Sequence, residues 1–271
     1  MTKCRACNYR LNPFFSLGKI PLVNSFLKEK DLKKEKKYDL TTAFCENCYL
    51  VQLTETVDPT EIFTEYIYQS GTSKLFTEHS KVLADHLTKK LKLTKKSFVL
   101  EIASNDGTQL QFYKKKGMNV LGVDPAKNIA KIANANGIET LPKFFNHNYS
   151  KSLVKKRGQA DLIYGANVLA HVPEIIDFAQ GVKTMLSREG TAIFEFPYLK
   201  GLLENKFDII YHEHVFYYSL IALKNIFERA DLMIYDVEFT PMQGGSLLIF
   251  IGHPESHSVT TAVKNLVDIE L

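Results

Sequence analysis

The sequence lacks a long apolar run and an apolar leader. Its 271 residues contain no stretch that approaches the roughly 20 apolar residues an α-helix needs to cross a bilayer. The first ten residues, MTKCRACNYR, have no hydrophobic segment of the kind that signal peptides contain. We therefore expect a cytoplasmic protein without a membrane span, in which thiols stay reduced and disulfides do not form.

Tryptophan is also absent, so the aromatic share of 11% comes from 13 Tyr and 18 Phe. The apolar share of 45% is typical of a globular protein with a sizeable core, in one large domain or two unequal ones. The net charge of +4 is small. Lysines cluster in DLKKEKKYD and LTKKLKLTKK, where they are interleaved with Glu and Leu as on a solvated surface. We therefore expect no nucleic acid as a partner.

Cysteine is scarce, and all four cysteines fall in two CxxC pairs, Cys4 with Cys7 and Cys45 with Cys48. Two such pairs can place four thiolates at the corners of a tetrahedron, as in structural zinc sites. A redox pair, an iron site and plain buried cysteines are the alternatives, although a redox CxxC should open a helix after a strand, and neither pair clearly does so. The pattern favours structural Zn²⁺ in a lobe, residues 1–56, that is too small to bury much core.

From Ser97 onward, short apolar segments alternate with amphipathic ones. The apolar segments are SFVLEIA, NVLGVD, ADLIYGANVLAH, TAIFEFPYL, LMIYDVEF and GGSLLIFIG. Strands that alternate with helices build a parallel sheet covered on both faces. The last two strands are joined by MQGG, which predicts an antiparallel hairpin at the sheet edge and separates a methyltransferase-type sheet from an ordinary dinucleotide fold. The expected fold class is α/β.

Candidate cofactor-binding residues follow the strands of this sheet. In open α/β sheets the ligand lies over the carboxyl ends of the strands. Glu101 ends the first strand, and Asp124 ends the second, where an acid can bind the two hydroxyls of a ribose. The full set is Glu101, Ala103, Ser104, Asn105, Asp106, Gly107, Asp124, Pro125, Asn167, Ala170 and His171.

NAD is the obvious competing ligand for this edge of the sheet. Its pyrophosphate needs a glycine-rich turn whose backbone amides close around two phosphates. The turn here, EIASNDGT, contains one glycine and an aspartate. It suits the amino group of a methionine moiety better than a dianionic pyrophosphate, so the sequence favours S-adenosylmethionine as the cofactor.

Together with the two CxxC pairs and the candidate cofactor residues, the sequence resembles the S-adenosylmethionine-dependent sugar C-methyltransferase family. Members of this family methylate a ring carbon of nucleotide-linked keto-deoxysugars. The resemblance covers nearly the whole chain, in the stretches CRAC, LGKIPLVNSF, CENCYLVQL, EYIYQSGTS, LEIASNDGT, LGVDPAKNIA, NVLAHV, EFPYL, FDIIYHEHVFYYSL and QGGSL. It implies a class I methyltransferase, Rossmann-like sheet with a small N-terminal zinc-binding lobe, and a thymidine-diphosphate-linked keto-deoxysugar as the substrate.

The stretch YHEHVFYY contains most of the candidate catalytic residues. A carbon next to a ketone becomes a nucleophile when a base removes its proton, and the enolate oxygen then needs hydrogen-bond donors. The resemblance implies that His214 is the general base and that Glu213 and Tyr211 orient the substrate or stabilise the enolate. Tyr66 and Tyr68, in EYIYQSG, are expected to close the pocket from the other side.

Three other interpretations of YHEHVFYY stay open at the sequence level. In an extended segment His212 and His214 would share one face and Tyr211 and Glu213 the other, whereas a loop over the strand ends could use both faces. A metal site would need a third ligand that the sequence does not place. A plain aromatic strand with satisfied histidines is the remaining alternative.

The resemblance also divides the chain and marks two departures from the family. The expected parts are a zinc-binding domain (1–56), a helical connector (57–96), the methyltransferase domain (97–255) and the start of a truncated C-terminal domain (256–271). Ala103 stands where the family usually has glycine, so its methyl group should crowd the methionine or require a small backbone shift. An inactive cofactor-binding homologue and a methyltransferase acting on RNA are the alternative functions.

Overall fold

The computed structural model of the protein describes residues 2–204 and 207–271. The strands are β1 (Asn12–Pro21), β2 (Lys37–Phe44), β3 (Val51–Leu53), β4 (Phe98–Ile102), β5 (Asn119–Val123), β6 (Thr140–Leu141), β7 (Ala160–Ala166), β8 (Leu186–Pro197), β9 (Phe216–Tyr217), β10 (Met233–Thr240) and β11 (Ser246–Gly252).

The helices are α1 (Pro59–Phe63), α2 (Lys74–Lys90), α3 (Leu110–Lys115), α4 (Lys127–Ala135), α5 (His147–Arg157), α6 (Ile175–Met185), α7 (Lys200–Leu203), α8 (Leu220–Glu228) and α9 (Thr261–Glu270). Short 3₁₀ turns lie at Glu29–Lys34, Ser70–Thr72, Leu169–His171, Phe207–Ile209 and Met242–Gly244.

Local sequence explains where the longer helices begin. Ser73 precedes α2 and its hydroxyl accepts a hydrogen bond from Phe76 N, while the Asn146 side chain accepts one from Tyr149 N at the start of α5. Such caps satisfy backbone N–H groups that have no partner within the helix. α5 ends at Gly158, whose φ of 79° suits glycine.

The larger sheet has seven strands in the order β10-β11-β8-β7-β4-β5-β6. β8, β7, β4, β5 and β6 are parallel, and β11 pairs antiparallel with both β8 and β10. The antiparallel hairpin at the sheet edge is therefore confirmed, together with the predicted class I methyltransferase fold. Because β4, β5 and β7 run in one direction, their carboxyl ends meet at one edge of the sheet, where the candidate cofactor residues follow them.

The smaller sheet is antiparallel, in the order β1-β2-β3-β9. Its first three strands belong to the N-terminal lobe, but β9 comes from the stretch YHEHVFYY. Gln52 on β3 is in register with Phe216 on β9. Beyond β9, Tyr218 forms a parallel bridge with Tyr198, which follows β8. One short segment therefore joins the N-terminal sheet to the seven-stranded sheet.

The C-terminal helix α9 packs on α8 and β10. The Glu270 carboxylate accepts hydrogen bonds from Leu220 N at 2.7 Å and Ile221 N at 2.8 Å, so it caps the first turn of α8. α1 and α2 lie in the segment expected to be a helical connector. The division into four parts that is expected from the sequence remains a prediction.

Candidate functional site

The four cysteine thiols converge in the N-terminal lobe. Their sulfur atoms all lie within 4.8 Å of one another, and the pairs Cys4–Cys48 and Cys7–Cys45 are each separated by 3.5 Å. Four sulfurs about 2.3 Å from a tetrahedral Zn²⁺ are about 3.8 Å apart, so the cluster fits this ion with little movement. Within the described residues, no other group of three or more His, Cys, Asp or Glu side chains is placed to hold a metal.

Each CxxC pair sits on the same kind of turn. Asn8 N donates to Cys4 O and Tyr49 N donates to Cys45 O, both at 2.8 Å. Asn8 and Tyr49 have φ values of 60° and 61°, so the chain reverses just after each second cysteine. The hydrogen bond between Cys48 and Cys4 lowers the pKa of Cys4 to about 5 and raises that of Cys48, so these two thiols share one proton.

A cavity of about 910 Å³ lies over the carboxyl ends of β4, β5 and β7. Eight of the predicted cofactor residues line it: Glu101, Ala103, Ser104, Asn105, Asp124, Pro125, Asn167 and His171. Asp106, Gly107 and Ala170 do not. Asp106 and Gly107 line a neighbouring smaller cavity, and the Ala170 carbonyl accepts from Val215 N at 2.8 Å.

The turn after β4 is built from residues with left-handed backbone angles. Ala103 has φ of 57°, Asn105 has 50° and Gly107 has 81°. The Asp124 carboxylate accepts from Asn105 N at 2.8 Å and from Ala126 N at 2.9 Å, which holds the turn against the end of β5. The predicted departure at Ala103 therefore falls where the backbone itself favours glycine.

Several buried polar atoms at the cavity have no hydrogen-bond partner within the described residues. They are Glu101 Oε2, Ser104 Oγ, Asn167 Oδ1, His171 Nδ1 and both amide atoms of Gln109. Burial, together with the carboxylates of Asp124 and Asp106, raises the pKa of Glu101 well above its usual range. Buried polar groups in proteins are nearly always paired, so this edge suits a ligand that brings a cationic amino group and hydroxyls. S-adenosylmethionine has both.

His214 and Tyr211 form a hydrogen-bonded pair in the lining of the same cavity. His214 Nδ1 lies 2.9 Å from Ile209 O, which can only accept, so Nδ1 bears the proton. The other ring nitrogen, Nε2, therefore accepts from Tyr211 Oη at 2.8 Å. Burial lowers the pKa of His214 to about 4, so the ring is neutral at physiological pH. A neutral imidazole with its acceptor nitrogen at a cavity wall can take a proton.

Glu213 lies behind the cavity wall and connects three parts of the chain. Its carboxylate accepts from Tyr66 Oη and from Asn24 Nδ2, each at 2.9 Å. His171 Nδ1 is 4.0 Å away, and burial lowers the pKa of this imidazole well below its usual range. Tyr66 and Tyr68 both line the cavity, and their catalytic role remains a prediction.

The stretch around His214 is a turn rather than an extended strand. His212 and His214 do not share a face, because His212 Nε2 donates to Tyr38 O at 3.2 Å while His214 lines the cavity. Of the two geometries considered for this stretch, the loop over the strand ends is the observed one.

Sequence reasoning missed several residues at this site. Asn24 and Phe63 line the cavity, and the Phe63 ring lies edge-on to His171 with centroids 5.4 Å apart. Lys143 and Asp208 also line it. Asn24 lies within LGKIPLVNSF, so the resemblance itself held a signal for it. Tyr198 lies outside the wall, and its hydroxyl donates to Glu270 at 2.8 Å.

Comparisons with known proteins agree with both parts of the fold. Residues 75–237 match a family model described as "Methyltransferase domain", and residues 4–63 match one described as "Putative zinc binding domain". The C-methyltransferase NovU of Streptomyces niveus is 34% identical over 269 residues, which cover 98% of this chain. The chain spans 64% of that relative's length.

Two solved structures have the same fold as the central domain. One is an S-adenosylmethionine-dependent methyltransferase from Clostridium acetobutylicum, with 12% identity and a TM-score of 0.52 over 65% of this chain and 92% of that one. The other is the magnesium protoporphyrin IX methyltransferase of Synechocystis with bound SAH, with 12% identity and a TM-score of 0.51 over 65% and 83%.

The N-terminal match and the four-thiol cluster agree with the predicted structural zinc, and the match to a methyltransferase domain agrees with the predicted S-adenosylmethionine. The domain match also agrees with the predicted methyltransferase class, while the reaction of this chain remains a proposal. Across residues 2–204 and 207–271, no helix is long and apolar enough to cross a membrane. A cytoplasmic location remains a prediction.

Proposed function

The chain belongs to the methyltransferase-domain family, and we propose that it transfers a methyl group to a ring carbon next to the ketone of a nucleotide-linked deoxysugar. The observation that carries this proposal is the neutral imidazole of His214 at the wall of the cavity that the cofactor residues line. Similarity to a C-methyltransferase supports carbon as the acceptor. A thymidine diphosphate carrier is the specific substrate that we propose.

The cofactor, when bound, supplies an electrophilic methyl group on a sulfonium sulfur. Glu101 is suited to accept hydrogen bonds from the methionine amino group, because its buried Oε2 has no other partner in the described part of the chain. Asp124 keeps free lone pairs for ribose hydroxyls beside the two backbone bonds it accepts. These residues position the methyl group, which is most of what the protein must do for this step.

His214 is the proposed general base. The proton leaves the sugar carbon next to the ketone and binds to His214 Nε2, and the electron pair of the C–H bond moves into the enolate. The imidazolium that forms keeps its Nδ1–H bond to Ile209 O. Nε2 has a single lone pair, which accepts from Tyr211 Oη in the free protein, so the phenol must first turn to the ketone oxygen. Nε2 is then open to the proton, and the phenol donates to the enolate oxygen as it forms.

Glu213 is proposed to position rather than to react, because it lies behind the wall with its oxygens already occupied. Its bonds to Tyr66 and Asn24 hold the Tyr66 phenol at the cavity, where it can donate to the sugar. Burial and, to a smaller extent, the nearby Glu213 carboxylate raise the pKa of Tyr66, so this phenol stays a donor.

The test separates binding from proton removal. The protein is titrated calorimetrically with S-adenosylhomocysteine, and then with a thymidine-diphosphate keto-deoxysugar in its presence. In D₂O, the carbon-bound proton next to the ketone should exchange for deuterium with the wild-type protein and not with His214→Gln. Tyr198→Phe is the matched control, because Tyr198 lies outside the cavity wall. Cofactor binding without sugar binding would support an inactive cofactor-binding homologue instead, and binding of neither would rule out the proposed activity.

A further inference from the structure

Gln52 lies between the thiol cluster and the rest of the molecule. Its side chain is fully buried, its Nε2 donates to Cys4 Sγ at 3.1 Å, and its Oε1 accepts from Arg5 N at 3.1 Å. Both ends of the amide are therefore bonded to the first CxxC turn. Hydrogen bonds of this kind to metal ligands orient the ligand and tune metal affinity.

The strand that contains Gln52 pairs with the segment that follows His214. Gln52 pairs with Phe216 across β3 and β9, and the neighbouring Leu53 N donates to Val215 O at 2.8 Å. Val215 directly follows His214, and its own N–H donates to Ala170 O at 2.8 Å. The peptide groups of Val215 are thus hydrogen-bonded to the N-terminal sheet through the carbonyl and to the turn after β7 through the N–H.

Two side-chain contacts attach the same turn to the N-terminal lobe. His212 Nε2 donates to Tyr38 O on β2, and Glu213 accepts from Asn24. Among the described residues, the His214 ring bonds only to Tyr211 and Ile209, which are close to it in sequence. Its position therefore follows that of residues 212–217, and the N-terminal lobe supplies several of the contacts that hold them.

We propose that Gln52 is a positioning residue that couples the metal centre to the loop of His214, through its amide bond to Cys4 Sγ and its strand pairing with Phe216. A metal ion on the four thiolates fixes Cys4, Cys4 fixes the Gln52 amide, and β3 then fixes the register of β9. This inference rests on the proposed function, since it gives the metal-binding lobe a part in placing the proposed base.

The first experiment compares Gln52→Met with Thr42→Val in the zinc-loaded protein. Gln52→Met keeps the length of the side chain and removes both amide bonds. Thr42→Val is the matched control, because Thr42 is also fully buried in this sheet but bonds to Phe15 O rather than to a thiol. Zinc affinity is measured by chelator competition, and hydrogen exchange is followed in the peptide covering residues 211–217.

We expect Gln52→Met to weaken zinc binding by about 10- to 100-fold and to speed exchange in residues 211–217 by about tenfold over Thr42→Val. In the cobalt-substituted protein, loss of the bond to Cys4 should shift the sulfur-to-metal charge-transfer band. Equal exchange of residues 211–217 in the two variants would overturn the proposal.

A second measurement needs no variant and covers the case in which Gln52→Met fails to fold. Zinc is removed from the wild-type protein with a chelator, and exchange is compared between residues 211–217 and β4. Coupling predicts faster exchange in residues 211–217 with β4 unchanged. Unchanged protection of residues 211–217 after metal loss would overturn the proposal.

None of these readouts uses a sugar substrate. If the protein turns over no nucleotide-linked keto-deoxysugar but the exchange and cobalt results are as expected, the proposed function fails and the coupling stands. If turnover is found while the exchange results are equal, the coupling alone fails.

Discussion

The imidazoles of His171 and His214 stand perpendicular to each other, with ring centroids 4.9 Å apart and an interplanar angle of 89°. Burial lowers the pKa of both rings, and the second ring lowers that of His171 further. The site therefore holds two neutral imidazoles at physiological pH, in a place where protonating one disfavours protonating the other.

The first prediction concerns stability and pH. The folded pKa of His214, about 4, lies below the value of about 6.5 in an unfolded chain, so the unfolded state binds more protons between these values. Stability from this group is complete above pH of about 6.5 and is lost as the pH falls toward 4. The free energy of unfolding, measured with urea, should be lower at pH 5 than at pH 7. This decrease should be smaller in His214→Gln than in the wild type, by about 1 to 2 kcal/mol.

The second prediction concerns turnover on a nucleotide-linked keto-deoxysugar. His214→Gln should lower kcat by about 10²- to 10⁴-fold, because the base is lost, and Tyr211→Phe by about 10²- to 10³-fold, because an enolate donor is lost. Both should bind S-adenosylhomocysteine as the wild type does. Steady-state kinetics and calorimetry check this, and a His214→Gln enzyme with wild-type kcat would exclude His214 as the base.

The third prediction concerns the backbone at Ala103. Its φ of 57° is strained for a residue with a Cβ, so Ala103→Gly should raise the free energy of unfolding by about 1 kcal/mol. Lys92→Gly is the control, because Lys92 has φ of 52° but lies at the end of α2. Both variants should be stabilised in thermal unfolding, but only Ala103→Gly should tighten S-adenosylhomocysteine binding. Weaker binding by Ala103→Gly would show that the turn has adapted to alanine.

The fourth prediction concerns proton release on cofactor binding. Burial raises the pKa of Glu101, and a cationic amino group placed against it would lower that pKa again. Binding should therefore release protons and strengthen as the pH rises through the raised value. Calorimetry in buffers of different ionisation enthalpy counts these protons. We expect release with the wild type and none with Glu101→Gln, while Glu195→Gln, at a buried acid outside the cavity wall, should resemble the wild type.

Features that depend on local pattern could be predicted from the sequence. The two CxxC pairs, the acids that end β4 and β5, and the hairpin of β10 and β11 each depend on residues close together in the chain. Parallel strands then bring those ends to one edge, so eight of the cofactor candidates meet in one cavity. The turn beyond Asn105 is different, since Asp106 is bonded to Gly71 N and faces away.

Contacts between distant segments could not be predicted. Asn24 and Glu213 are separated by 189 positions, and Tyr66 and Glu213 by 147. No sequence pattern around Asn24 or Tyr66 indicates that Glu213 is the partner. The turn at His212 depends on the same kind of contact. The His212 ring donates to the Tyr38 carbonyl, so it does not lie on the same face as His214, as it would in an extended strand.

The fourth strand of the N-terminal sheet has a consequence for the order in which the protein folds. During synthesis, β1, β2, β3 and both CxxC pairs leave the ribosome long before β9 does. Until then β3 presents an unpaired edge, which is a site for association with other chains. The nascent lobe can bind its metal early, but its sheet stays open until most of the methyltransferase domain has been made. Maturation of this protein should therefore be a single late event rather than two independent ones.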